Sequence, residues 1–307
     1  MNASPWLRRT AFAVLALAAL LALAAAAGHR LAQRKLHRQV AVPKVVLDLA
    51  DDSPHRATTL ARGAYLYQSR GCTACHGSDA TGVAFLHESN GLVVRAPNLT
   101  PAPDSPVRHY TVSDWVRTVR HGVKPDGTPA LIMPSEDYAR MSNADLAALV
   151  SYLRSLPARA GGPAIIELPL PLQLAYAAGV IQDAAEKIDH TLPPEPDQAP
   201  TVSVAYGHYV ANMCVGCHGA GLSGGRIPGT PPDWPAAANL TPGAGSGMKA
   251  YTSAAQLAAM FATGHRPDGS AVSQVMPFLA LRAMSQTDVG ALYAYLHSLP
   301  PRPFGQR

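Results

Sequence analysis

The sequence predicts an all-α protein: two tandem copies of one small helical domain behind an N-terminal hydrophobic helix. Three observations carry this. Apolar residues recur at helical spacing, as in Leu146, Leu149, Val150 and Leu153, while alternating β-branched stretches are scarce. A set of landmarks repeats 141 to 143 residues apart. Thr10–His29 is an Ala- and Leu-rich run without Asp, Glu, Lys or Arg.

Length and charge bound the reading. A chain of 307 residues suits two domains, and 48% hydrophobic residues suffice for packed cores. The 28 prolines predict much irregular backbone. The formal charge is +5, yet residues 1–39 hold six basic residues and no acid. The remainder carries 19 bases against 20 acids. The body therefore lacks the field that nucleic-acid binding needs, and that class is excluded.

Residues 1–39 form the first element. Arg8 and Arg9 precede the apolar run, and Arg30, Arg34, Lys35 and Arg38 follow it. Twenty residues at ~1.5 Å each cover ~30 Å, the depth of a bilayer core. The run exceeds the ~7–15 residues of a signal-peptide core, so an uncleaved anchor is expected. The alternative is a signal cleaved near Ala24–Ala27. The flanking charges oppose an N-in orientation. Export of the body is nevertheless required by the chemistry below, so N-in is the expected topology. Gln39–Ser53 reads as a linker.

From about Thr58 a helix is expected, with Leu60, Gly63, Ala64 and Leu66 on its apolar side. It leads into Cys72-Thr73-Ala74-Cys75-His76, which recurs as Cys214-Val215-Gly216-Cys217-His218. C-x-x-C-H is the attachment signature of a c-type haem. Two thiols three positions apart reach the vinyl groups on one porphyrin edge, and the adjacent imidazole ligates the iron. The two motifs use all four cysteines. Disulfides would leave the histidines idle. Zinc ribbons space their pairs ~15–20 residues apart, whereas Cys75 and Cys214 are 139 apart. A redox C-x-x-C would need a βαβ setting.

Ala96-Pro97-Asn98-Leu99-Thr100-Pro101 follows as a loop, echoed by Ala238-Asn239-Leu240-Thr241-Pro242. Tyr110-Thr111 and Tyr251-Thr252 each open a helix, with Ser or Thr as N-cap. Pro125-Asp126-Gly127 and Pro267-Asp268-Gly269 are turns. Met133-Pro134 and Met276-Pro277 come next. The final helices begin at Ser142 and Ser285, each with Asp three residues on as in a capping box, and end at Leu156-Pro157 and Leu299-Pro300. The domains are thus 55–157 and 203–302, joined by a Pro-rich connector over 158–202. Within it, the apolar stretch Leu172–Ile181 predicts a short helix packed on a domain or a partner.

Each iron needs a second axial ligand unless its site is open, and methionine is the usual partner of histidine in electron-transfer cytochromes. Met133 lies 57 residues after His76, and Met276 58 after His218. A following proline extends the methionine backbone, which suits a strap over the distal face. The expected ligand sets are His76 with Met133 and His218 with Met276. Met141 and Met284 also repeat, but they precede helix caps and read as packing. His121 and His265 are alternative ligands that do not align with each other. Arg95, Trp115 and the loops at Asn98 and Asn239 could touch the haem edges or propionates, or simply pack.

On these motifs both halves resemble class I cytochrome c domains. Residues 55–302 resemble the cytochrome c subunits of membrane-bound bacterial alcohol and gluconate dehydrogenases. The matching text is Ala61-Arg62-Gly63-Ala64-Tyr65-Leu66, Pro97–Pro101, Arg120–Gly127, Met133-Pro134, Leu146–Leu156 and Leu168–Leu172. The resemblance implies a small all-α fold around each covalently bound haem c. It also implies His-Met iron and transfer of electrons from a dehydrogenase to a quinone, oxidase or other cytochrome. Those subunits commonly carry three C-x-x-C-H motifs and a membrane contact near the C-terminus. This chain has two motifs and an N-terminal apolar run. The expected role is electron transfer without substrate chemistry, at the bacterial inner membrane with the haem domains in the periplasm. The alternative is a peroxidase-like dihaem enzyme with one open iron.

Overall fold

The computed structural model describes residues 5–49, 54–231 and 233–307. Met1–Ser4 of the basic opening and residues 50–53 of the expected linker lie outside the described residues. Helix α1 (Pro5–Leu36) precedes the first half, which holds α2 (Arg56–Ser69), α3 (Cys72–His76), α4 (Val112–His121) and α5 (Asn143–Ser155). The connector holds α6 (Leu170–Ala177) and α7 (Ala184–Lys187). The second half holds α8 (Val204–Ala211), α9 (Val215–His218), α10 (Ala254–Thr263), α11 (Phe278–Leu281) and α12 (Gln286–Ser298).

The chain is mostly helical, but the all-α expectation is corrected by a small antiparallel sheet. Its strands are β1 (Ala84–His87), β2 (Val93–Arg95) and β3 (Ile165–Glu167), in that spatial order. Asn90-Gly91 makes the hairpin turn, with Gly91 at φ +87°. Val93, Val94, Ile165 and Ile166 supply the β-branched residues. The third strand comes from the connector, so the sheet ties that segment to the first half.

Each half has its own apolar core. In each, the helix before the haem motif packs on the last helix: α2 on α5, and α8 on α12. A glycine permits this approach in both. A Cβ on Gly63 would lie 2.1 Å from the Ala148 carbonyl oxygen, and one on Gly207 2.0 Å from that of Ala291.

The halves then lock together by a reciprocal exchange. Ser142 and Ser285 cap α5 and α12, their hydroxyls accepting from the amides of Asp145 and Asp288. A tyrosine of the other half completes each cap. The Tyr209 hydroxyl donates to Asp145 (2.7 Å) and accepts from the Ser142 amide (3.3 Å). The Tyr65 hydroxyl donates to Asp288 (2.7 Å) and accepts from the Ser285 amide (3.0 Å). Arg62 makes a two-pronged ion pair with Asp145, while Arg70 reaches across to Asp288 at 2.9 Å. Asp288 is fully buried. Burial alone would raise its carboxyl, but Arg70, Tyr65 and Tyr206 outweigh that and hold it below the usual range.

The connector helix α6 packs against the end of α1. Arg38 makes a two-pronged ion pair with the fully buried Asp183 (2.7 and 2.8 Å), which also accepts from the Tyr176 hydroxyl. Lys35 pairs with Glu186 at 3.1 Å. The last turns of α1 are therefore built into the body.

Candidate haem sites

In the first half, α3 presents Cys72, Cys75 and His76 to a cavity of about 830 Å³. Met133 lies on its wall, as do Tyr67, Trp115 and Met141. Cavities of roughly 300–1,000 Å³ bury most of a cofactor-sized ligand. The His76 ring is oriented by one hydrogen bond: Nδ1 donates to the Pro97 carbonyl at 3.0 Å. That leaves Nε2 as the free ring nitrogen. Burial lowers the imidazole pKa, opposed by the Pro97 carbonyl, so the ring is neutral and has a lone pair to give. Burial also pushes the Cys72 thiol up to about 12.

The second half repeats this arrangement. Nδ1 of His218 donates to the Ala238 carbonyl at 2.8 Å, and burial again lowers its pKa. Cys214 is half-buried and Cys217 exposed. Met276 packs on the core of this half.

What holds the two carbonyls is a side chain one residue on. Asn98 is fully buried; its Oδ1 accepts from the Thr100 amide (2.9 Å) and its amide nitrogen donates to the Arg159 carbonyl (2.7 Å). Asn239 does the same with Thr241 (2.9 Å) and the Arg302 carbonyl (2.8 Å). These asparagines fix the loop whose carbonyl aims the histidine. The repeated Asn-Leu-Thr-Pro marks the loop in the sequence, but the carbonyl contact needs the fold.

Two stretches, residues 60–157 and 204–300, match the Cytochrome c family. The chain belongs to the cytochrome c family. It is 28% identical over 271 residues to a protein named diheme cytochrome c-type from Cereibacter sphaeroides, covering 78% of this chain and 85% of that one. It is 30% identical over 145 residues to the fructose dehydrogenase cytochrome subunit of Gluconobacter japonicus, 43% of this chain and 28% of that subunit. It is 29% identical over 182 residues to the gluconate 2-dehydrogenase cytochrome c subunit of Pantoea cypripedii, 55% of this chain and 40% of that one. The match thus spans less than half the length of either dehydrogenase subunit.

The cytochrome carries two covalently bound haem c groups. The apolar cavity, the paired cysteines and the neutral histidine on its wall suit that group. The other sequence candidates are placed as follows. His121 does not line the cavity; it is buried against His190, Nδ1 to Nδ1 at 3.0 Å, and burial pushes it down to about 4. His265 is exposed and donates to the Thr263 carbonyl. Met141 and Met284 are buried in the two cores, Met141 also reaching the cavity wall. Trp115 is buried on that wall, edge-on to Tyr110. Arg95 binds the connector, donating to the Gly161 and Pro163 carbonyls (2.6 and 3.1 Å).

Each haem motif also touches the other half. Gly216, between Cys214 and Cys217, donates its amide to Asp137 at 2.8 Å. Helix α11, which follows Met276-Pro277, packs against α3. Sequence reasoning did not find Asp137. It has no counterpart in the repeat, where Ala280 stands.

Proposed function

We propose that the chain is a two-haem relay. It takes electrons from a dehydrogenase and passes them to a respiratory acceptor: an oxidase, a quinone or another cytochrome. Cys72 with Cys75, and Cys214 with Cys217, tether the haems. His76 with Met133, and His218 with Met276, hold the irons. When bound, each haem supplies a one-electron ferric/ferrous couple.

The observation that carries this reading is the pair of histidines, each with Nδ1 committed to a backbone carbonyl and Nε2 left free. Such a ring stays put when the charge at its other nitrogen changes. With Met133 and Met276 as second ligands, neither iron would keep an open position for peroxide chemistry. The reciprocal tyrosine caps fix the halves against each other, which favours transfer within the molecule. Helix α1 spans the bacterial inner membrane with the haem domains in the periplasm. A single apolar run of this length supports the anchor, and haem attachment outside the cytoplasm supports the orientation.

The test is redox titration of the purified full chain with the mass of the mature polypeptide. Two haems' added mass and two one-electron steps are expected. Rapid carbon monoxide binding to the reduced protein would instead point to an open iron. Co-purification from solubilised membranes identifies the donor and acceptor.

A further inference from the structure

We propose that the connector makes a second membrane contact. The start of α6 and the strand before it lie in the periplasmic interface of the bilayer, beside the point where α1 emerges. This rests on reading α1 as an uncleaved anchor.

The direction of α6 along α1 carries the inference. Gln173 meets His29 at 2.5 Å, and a Cβ on Gly28 would run into the Leu174 side chain. Three residues after Gln173, the Tyr176 carbonyl accepts from Lys35 at 2.8 Å. So α6 runs away from the apolar span as the chain proceeds. Its first residue, Leu170, lies on the bilayer side of this contact. The packed face of α1 steps through Ala25, Gly28, Ala32 and Lys35, which are half-buried or buried; the neighbours of Ala25 and Gly28 are exposed. Two of these positions, Ala25 and Gly28, belong to the stretch that fills the hydrocarbon depth. The connector therefore reaches the edge of the lipid, not merely the body's end of α1.

Its chemistry suits that place. Leu170–Ala177 reads Leu-Pro-Leu-Gln-Leu-Ala-Tyr-Ala, with no charge. Leu170 is 42% exposed, and Ile165 of β3, which does not line the haem cavity, is 41% exposed. In water, an apolar edge of this kind is a cost; in the headgroup region it is a contact. Exposed Arg30 and Arg34 sit on α1 two and six residues past Gly28, about half a turn and under two turns on, where phosphates lie. The arrangement is held firmly, because Arg38 and Tyr176 pin both helices to Asp183. It also decides which haem is nearer the lipid. Gln33, Leu36 and His37 of α1 and Ile166, Leu168 and Gln173 of the connector all line the first cavity. Gln33 is five residues past Gly28, or ~7.5 Å along the helix.

The test uses the full haem-loaded chain in phospholipid vesicles. Single cysteines are introduced as Leu20→Cys, Leu170→Cys, Ile165→Cys and Val202→Cys and spin-labelled; the native cysteines are thioethers. With both haems reduced, collision of each label with oxygen is compared with collision with a water-soluble nickel chelate. The oxygen-to-nickel ratio at Leu170 is expected to stand severalfold above that at Val202 and to approach that at Leu20. Ile165 answers the same question should the Leu170 variant fail to mature. A ratio at both positions equal to that at Val202, with Leu20 still in lipid, overturns the second contact and leaves the anchor standing. Loss of Leu20 from the mature chain, or a wet label there, overturns both.

Discussion

In the first half, the haem motif faces a cavity walled by β1, β2, the connector and the last turns of α1. In the second half, the corresponding stretch 226–236 is rich in proline; a single antiparallel bridge between Gly225 and Ala237 closes it, and its described residues form no strand. There the motif is covered by the C-terminal turn, where Arg307 donates to the carbonyls of Cys217 (2.7 Å) and Gly216 (3.2 Å). Inside the motif the halves are nearly identical: a carbonyl aims each histidine, and an asparagine locks each carbonyl. What differs is supplied by distant segments. Histidine geometry is thus common to the two halves, and the cover over the motif is what differs between them. Exposure favours the more charged ferric state, so the more enclosed first haem should have the higher potential.

The largest effect is expected from the straps. Met133→Ala and Met276→Ala should each lower one of the two potentials by on the order of 0.2 V, a fraction of the ~0.8 V range that axial ligands set. Haem should remain attached, and Met133→Ala should depress the higher step. Spectroelectrochemical titration reads this directly. If Met276→Ala moves the higher step, the ranking by enclosure is wrong; if neither moves, the ligand assignment is.

Next come the reciprocal caps, where the halves differ again. Asp288→Ala leaves Arg70 buried without its counter-charge, and removing one partner of a buried pair costs about 3–5 kcal/mol. Asp145 pairs with the more exposed Arg62, so Asp145→Ala should cost less, about 1–2 kcal/mol after solvent screening. Urea unfolding of the haem-loaded protein compares them. Equal losses would mean that the interface treats its two sides alike.

The repeat explains why much of this was legible in the sequence. Helices α5 and α12 are written locally, by Ser caps, helical spacing and a closing proline. The haem motifs, the Asn-Leu-Thr-Pro loops and the Met-Pro straps recur in register. What was hidden depends on contact between segments remote in the chain. The aspartates of the Ser142 and Ser285 caps looked like ordinary capping boxes. Tyr65 and Tyr209 complete those caps from 220 residues away in one direction and 67 in the other. Strand β3 was invisible for the same reason: three residues become a strand only because β2 offers an edge. Helix α6 was legible as a helix, but its partner, α1, was not.

A substitution at the glycines should affect both halves alike. Gly63→Ala and Gly207→Ala each place a methyl within van der Waals distance of a backbone carbonyl on the facing helix. Overpacking of this kind costs about 1–3 kcal/mol. Matched losses in thermal unfolding are expected, since the two contacts agree to 0.1 Å. A loss in one half alone would separate the packing of the cores.

The smallest effect is the most asymmetric. Asp137 is half-buried beside the second haem motif, and Ala280 holds its place in the repeat. Burial pushes its carboxyl up to about 7, Glu136 adds repulsion, and the Gly216 amide pulls the other way. An unfolded aspartate titrates near ~3.9. Between these values the folded chain keeps a proton that the unfolded chain has released. Stability from this group is therefore present at low pH, declines as pH rises towards 7, and is gone above it. Asp137→Asn keeps an acceptor for the Gly216 amide and removes the titration. Relative to that variant, the native chain should lose about 1 kcal/mol between pH 5 and pH 7.5, allowing for solvent screening. Urea midpoints at several pH values test this, because titrations elsewhere cancel in the difference. Parallel curves for the two proteins would mean that Asp137 ionises as freely as a surface carboxylate, and that the seam between the halves is wet on this side.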